Sequence, residues 1–378
     1  MKSSLRLVRI AGIDIGIHYT WVFIFVLLSV SLAVGFFPQL YPGWDRVTYW
    51  ITGVVAALLL FVSVLLHELA HSLVAKARGI PVHSITLFIL GGVSNLEEEP
   101  EKPKVELVMA IVGPLASIAL AGICWGLLQL VEDRQSPLAG MLTYLALINA
   151  ILAAFNLLPG FPLDGGRVLR SIIWEKTGSL VRATNIAATV GRFMGWGFIA
   201  FGLFQILAGN LGGLWLAFIG WFLSSAADAS RREITAREQL SGVRVKEVMA
   251  TSPTTISPDT TVAELISNTF RRQLSRAVPV CQNDQVMGIV TVTDVKELPR
   301  EKWEETPVRE IMIREPLHSV SPEDDLNTAL RIITKHDVNQ VLVMDGTRCA
   351  GLVTRADILN YLQLSQELDL KETKGKDV

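Results

Sequence analysis

Six long apolar runs dominate the first 226 residues and leave few ways to fold: Ile17–Phe37, Ile51–Ala75, Val105–Val131, Met141–Leu158, Ala183–Leu207 and Leu211–Ala226. Most approach the ~20 residues a helix needs to cross ~30 Å of hydrocarbon, a medium in which the backbone must satisfy its own hydrogen bonds. The first run follows Lys2, Arg6 and Arg9. It is longer than a signal-peptide core and lacks a small-x-small cleavage site leading into soluble sequence, so it reads as a retained anchor. Composition then separates two regions. Up to Ala226 there are 14 basic and 12 acidic residues, against 20 and 24 in the last 152. A membrane domain is therefore expected, followed by a soluble one. The net charge of −2 and the absence of a basic surplus in the soluble part argue against a nucleic-acid partner. Cys124, Cys281 and Cys349 form no CxxC pair, so any metal site must draw on nitrogen and oxygen ligands.

Basic residues in the short connections set the expected orientation. Lys2, Arg6, Arg9, Lys76, Arg78, Lys102, Lys104, Arg167, Arg170, Lys176, Arg182, Arg231 and Arg232 fall on one side, and Arg46 and Arg134 on the other. Six spans with both ends on the basic side put the N-terminus and the soluble tail in the cytoplasm. The cell membrane is the expected location, and the lipid bilayer the surrounding medium. Between the second and third runs, residues 82–90 (Val82, Ile85, Thr86, Leu87, Phe88, Ile89, Leu90) read as a strand before a Gly91-Gly92 turn. Such a strand must be shielded by protein or line a wet cavity. It is either a hairpin without a role or a re-entrant edge strand beside a reaction centre.

The second run ends in His67-Glu68-Leu69-Ala70-His71. At 3.6 residues per turn His67 and His71 share one helix face, as two imidazoles on one zinc require, and Glu68 is offset toward a water on that metal. Ionisable groups in hydrocarbon are costly unless paired or functional. A catalytic zinc commonly takes three protein ligands. A third is available where the fourth run breaks at Asn156-Leu-Leu-Pro159-Gly160-Phe-Pro162-Leu-Asp164-Gly165-Gly166-Arg167, since proline and glycine free the backbone to turn Asp164 inward. Asp164 could alternatively be only a cap for the next helix.

Taken together, HExxH in an apolar helix, Gly91-Gly92-Val93 after a strand, Gly113-Pro114, and Asn156 ahead of Leu163-Asp164-Gly165-Gly166-Arg167 resemble the site-2 proteases, zinc intramembrane metalloproteases. Ile17-His18 is similar to that family as well. The resemblance implies zinc on His67, His71 and Asp164, Glu68 as general base, and Asn156 as a hydrogen-bond donor to the oxyanion or the substrate backbone. It also implies a substrate that is a single-pass transmembrane protein, cut within its membrane segment as in regulated intramembrane proteolysis. A helical substrate must unwind, and the strand around Thr86 to Leu90 could receive it by edge pairing.

The tail carries an internal repeat. Val248-Met249 recurs as Ile311-Met312, Ile256-Ser257-Pro258 as Val320-Ser321-Pro322, and Gly288-Ile-Val-Thr291-x-x-Asp294 as Gly351-Leu-Val-Thr354-x-x-Asp357. Each copy reads strand, helix, strand, strand, helix, and the pair resembles tandem CBS domains. That resemblance implies an adenine nucleotide near Thr291, Asp294, Thr354 and Asp357, and allows a homodimer. The same four residues cap the following helices with or without a ligand, so both readings stand.

The expected architecture is an α-helical polytopic membrane domain with about six transmembrane helices and a short re-entrant β region, joined to an α/β CBS pair. Expected boundaries are 1–228 for the membrane domain, 229–242 for a linker, 243–303 and 304–365 for the two CBS domains, and 366–378 for a polar tail. The leading function is a zinc endopeptidase modulated by the CBS pair. The alternatives are a CBS-gated transporter and an inactive scaffold of the same fold.

Overall fold

Residues 4–368 are described in a computed structural model, with the exception of 90, 97–99, 252, 274–275 and 283–284. The chain divides into two units between Arg232 and Glu233.

In the first unit a four-stranded sheet precedes and interrupts the helices. β1 (Ser4–Ile10) and β2 (Ile13–His18) form a hairpin whose tight turn, Ala11-Gly12, has positive φ at both residues. The next elements are α1 (Thr20–Ser31), a π turn (Leu32–Phe36), α2 (Phe37–Leu40) and α3 (Arg46–Ala77), the last started by Asp45 accepting from the amides of Val47 and Thr48. β3 (Val82–Phe88) and β4 (Gly91–Leu96) follow, then α4 (Pro103–Gln129), α5 (Pro137–Asn156), α6 (Asp164–Thr177), α7 (Leu180–Leu207) and α8 (Gly213–Leu240).

Five of these stretches are long and apolar enough to span a membrane: Thr20–Leu40, Arg46–Ala77, Pro103–Gln129, Pro137–Asn156 and Leu180–Leu207. The sixth apolar run, 211–226, becomes the first half of α8, which turns polar at Asp228 and continues through Arg231, Arg232 and Glu233. Part of the first apolar run is not helical, because Ile17 and His18 close β2.

The strand expected at 82–90 is present over Val82–Phe88, and Leu90 lies outside the described residues. The edge role expected of it is wrong. Sheet order is β1-β2-β3-β4, with β3 parallel to β2 on one side and antiparallel to β4 on the other. Both backbone rims of β3 are therefore occupied, and the edge facing the helices' polar cluster is β4. One sheet face packs on α3 and α4: Ile13, Ile15 and Ile85 are buried with Ala75 and Met109. This burial is the protein shield that a strand among membrane helices requires.

The second unit contains the two repeats, whose short first strands are exchanged. β5 (Ala250–Thr251) from the first repeat pairs with β10 (Arg348–Thr354) of the second, and Ile313 of the second bridges Ile289 in β7 (Gln285–Thr291) of the first. The glycines of the repeated motif allow this exchange: a Cβ on Gly288 would meet Ile313 O and Met312, and one on Gly351 would meet Ala250 O and Met249. β9 (Gln340–Asp345) lies beside β10 and pairs on its other side with β8 (Ser319–Val320), and β7 pairs with β6 (Ala277–Gln282). The helices are α9 (Val262–Leu265), continued by a π turn (Ile266–Phe270) and α10 (Arg271–Gln273), then α11 (Val292–Glu297), α12 (Leu326–Lys335) and α13 (Arg355–Glu367). Residues 369–378 of the expected polar tail lie outside the described residues.

Candidate metal centre and tail cavity

His67 and His71 stand one turn apart on the buried face of α3, and the broken segment after α5 brings Asp164, the first residue of α6, against them. Asp164 Oδ2 lies 3.1 Å from His67 Nε2 and 3.2 Å from His71 Nε2, and the two Nε2 atoms are 3.2 Å apart. Among the described residues these three are the cluster that could hold a metal ion.

The other ring nitrogens are fixed from α4. His71 Nδ1 lies 2.6 Å from the carbonyl of Met109, which can only accept, so Nδ1 carries the proton and neutral His71 presents a lone pair at Nε2. His67 Nδ1 is 2.9 Å from Ser117 Oγ. Two imidazole nitrogens and a carboxylate oxygen thus face one another, an arrangement that a cation satisfies. A tetrahedral zinc with ligands at about 2.0–2.1 Å has ligand atoms about 3.3 Å apart. The observed triangle fits zinc, with His67, His71 and Asp164 as the residues that would hold it.

Missing side chains make the room. A Cβ on Gly113 of α4 would collide with both imidazoles, and one on Gly92 of β4 would collide with Glu68 Cγ. The segment carrying Asp164 is packed equally closely. Gly165 and Gly166 lie against the backbone of Leu157–Phe161, Gly160 lies against Gly191 of α7, and the Phe161 amide donates to Ala187 O. Pro159, Pro162 and these glycines therefore replace side-chain packing with backbone contact, which fixes where α6 begins.

Glu68 accepts a hydrogen bond from Ser94 Oγ of β4 at 3.0 Å. Asn156 is the last residue of α5, half-buried and outside this hydrogen-bond network. His18 ends β2, where its Nδ1 lies 2.9 Å from Thr20 Oγ1. Sequence reasoning missed Ser94, Ser117 and the Met109 carbonyl. Ser117 had a signal, since it follows Gly113 by one helical turn. It also missed that Arg170, counted above among loop charges, is buried in an ion pair with Glu106 of α4 and stacks over Phe161.

In the tail, Thr291 and Asp294 form a capping box on α11, and Thr354 and Asp357 form another on α13. Each Thr amide and hydroxyl donates to its Asp, at 2.7 and 2.8 Å in the first case and 2.9 and 2.7 Å in the second. The cap expected on chemical grounds is therefore present in both copies. Thr291 and Asp294 also line a cavity of about 260 Å³ with Arg276, His318, Asn339 and Gln340, whereas Thr354 and Asp357 are not part of its wall. His318 stacks on His336 at 3.8 Å.

Comparison with known proteins agrees with both halves. The model of peptidase family M50 matches residues 55–135 and 131–198, and that of the CBS domain matches 245–301 and 308–364. Rip3 of Mycobacterium tuberculosis, a candidate zinc metalloprotease, is 35% identical over 372 residues, covering 96% of this chain and 94% of its own. A zinc metalloprotease of Methanocaldococcus jannaschii, MJ0392, is 30% identical over 372 residues, covering 98% and 99%. A solved site-2 protease from the same archaeon is 32% identical, covering 60% of this chain and 95% of its own with a TM-score of 0.43.

Proposed function

The chain belongs to peptidase family M50, as a zinc metalloprotease of the site-2 type with a tandem CBS tail, and from that membership we propose that it cuts single-pass membrane proteins within their transmembrane segments. The observation that carries this reading is the meeting of His67, His71 and Asp164 within one ligand triangle, one residue away from Glu68, inside a bundle of membrane-type helices.

A zinc ion held by His67, His71 and Asp164 would supply Lewis acidity, polarising the scissile carbonyl and easing the deprotonation of water at neutral pH. The chain's own residues do the rest. Glu68 takes the proton from the attacking water and returns it to the leaving amine. Met109 O and Ser117 hold the two imidazoles in the orientation that aims Nε2 inward. Asn156, the last residue of α5, donates to the substrate backbone. The substrate strand is received by β4 in place of the segment around Thr86–Leu90, because β4 has the open rim and lies against Glu68. The apolar first half of α8 makes a sixth crossing, so that the N-terminus and the tail both lie in the cytoplasm, on the side of the basic connections.

In the tail, an adenine nucleotide occupies the cavity at Thr291 and Asp294, where Arg276 offers positive charge to phosphate, and its binding modulates cleavage. The test is cleavage of a single-pass substrate in proteoliposomes. Wild-type protein should cut within the membrane segment, Glu68→Gln should lose about 10²- to 10⁴-fold in rate while keeping zinc, and a zinc chelator should abolish cutting. Equal cutting by wild type and Glu68→Gln contradicts the reading.

A further inference from the structure

The contacts from α4 orient the two imidazoles, but none of them holds Glu68. Its hydrogen bond comes from the strand edge. In β4, alternate residues Gly92 and Ser94 act on the same carboxylate side chain: Gly92 leaves a gap that Glu68 Cγ and Cδ fill, and Ser94 Oγ donates to Glu68 Oε2 at 3.0 Å. Ser94 is itself tied to α3, since its Oγ lies 3.1 Å from that of Ser72, a residue one turn beyond Glu68 and 0% exposed.

Proton counting sets the direction. A serine hydroxyl has one hydrogen, and an ionised carboxylate can only accept. Ser94 gives its hydrogen to Glu68, so it accepts the hydrogen of Ser72. The chain therefore runs Ser72 to Ser94 to Glu68. It occupies one acceptor site on Oε2, and Oε1 accepts no hydrogen bond among the described residues. Ser94 stands opposite Ile85 in the β3–β4 ladder, and Ile85 is fully buried, so the position of the hydroxyl follows the position of the strand.

We propose that Ser94 is the positioning residue for Glu68, with Ser72 orienting its hydroxyl, so that the base is held in working geometry by the same strand whose open rim receives the substrate. This rests on the protease reading given above. It makes the efficiency of the chemical step depend on β4 being in place, which an extended substrate paired to that rim would secure.

The test uses full-length protein in detergent and two readouts. In cleavage of a single-pass substrate, Ser94→Ala should lower kcat about tenfold or more with KM and zinc content unchanged, Ser94→Thr should restore most of kcat by returning the hydroxyl, and Ser72→Ala should lower kcat less than Ser94→Ala. The second readout needs no turnover: the affinity of a peptide hydroxamate, which gives a proton or hydrogen bond to the glutamate carboxylate, measured by thermal shift on zinc-loaded protein. Both Glu68→Gln and Ser94→Ala should weaken it, Ser94→Ala by about tenfold. Unchanged kcat and hydroxamate affinity in Ser94→Ala overturn the proposal. So does an equal loss in Ser94→Thr and Ser94→Ala, or loss of zinc in Ser94→Ala, each of which marks a merely structural serine. A wild-type chain that binds hydroxamate but cuts nothing would count against the protease reading, and the Ser94 assignment would still be decided by the affinity series.

Discussion

The two halves of this chain present the same kinds of residue in opposite settings. In the membrane unit, imidazole and carboxylate groups sit among apolar helices, where every polar atom must be satisfied from within. The convergence of His67, His71 and Asp164 is therefore informative by itself. In the tail, Thr291 and Asp294 satisfy each other at a helix start in contact with water, and so do Thr354 and Asp357. A motif that costs little to keep says little about a ligand, and it is the cavity beside Thr291, not the motif, that points to one.

The sharpest way to break this contrast is at Gly113. Gly113→Ala places a methyl group on both imidazoles and should abolish zinc binding and cleavage together, whereas Gly122→Ala, on the same helix with open space around it, should leave both intact. Metal analysis of the two variants decides the point. A smaller effect is expected one contact further out. Ser117→Ala removes the partner of His67 Nδ1 and should weaken zinc affinity about 10- to 100-fold, measured by competition with a chelator.

The tail should respond on a different scale. Thr291→Ala and Thr354→Ala each remove a cap and should cost about 1 kcal/mol, seen as faster amide exchange in α11 and α13, with zinc content unchanged. The two should then differ with nucleotide present. Added adenine nucleotide should slow exchange around the first cap of the wild-type chain, and this effect should be lost in Thr291→Ala and kept in Thr354→Ala.

The smallest effect concerns pH. Desolvation, with the charge of neighbouring His336, pushes His318 below the ordinary imidazole range. The folded tail thus binds fewer protons there than the unfolded chain. Its contribution is present above the unfolded value of about 6.5 and is lost as pH falls through that value and on toward the folded one. Amide protection factors around β8, which take out the intrinsic pH dependence of exchange, should fall on acidification, and less so in His336→Asn.

What could be read in advance follows from range along the chain. The HExxH pair is set by one helical turn, and the Pro/Gly break that frees Asp164 is equally local, so the meeting of His67, His71 and Asp164 was legible. The sheet was not. β2 pairs in parallel with β3, Asp14 standing opposite Ser84 with α1, α2 and α3 between the strands, a contact no local pattern announces, and so β3 looked like an edge. Ile13–His18 was merged in part into a membrane span because a short apolar run does not by itself separate strand from helix. Ser94 was hidden for the same reason as the sheet, since its partner lies 26 residues away on another element.

The central claim is tested most directly by zinc per chain, from elemental analysis of detergent-purified wild type alongside His71→Ala and Asp164→Ala. The account predicts close to one zinc in the wild type and loss in both variants. Zinc absent from the wild type, or retained by both variants, would contradict it.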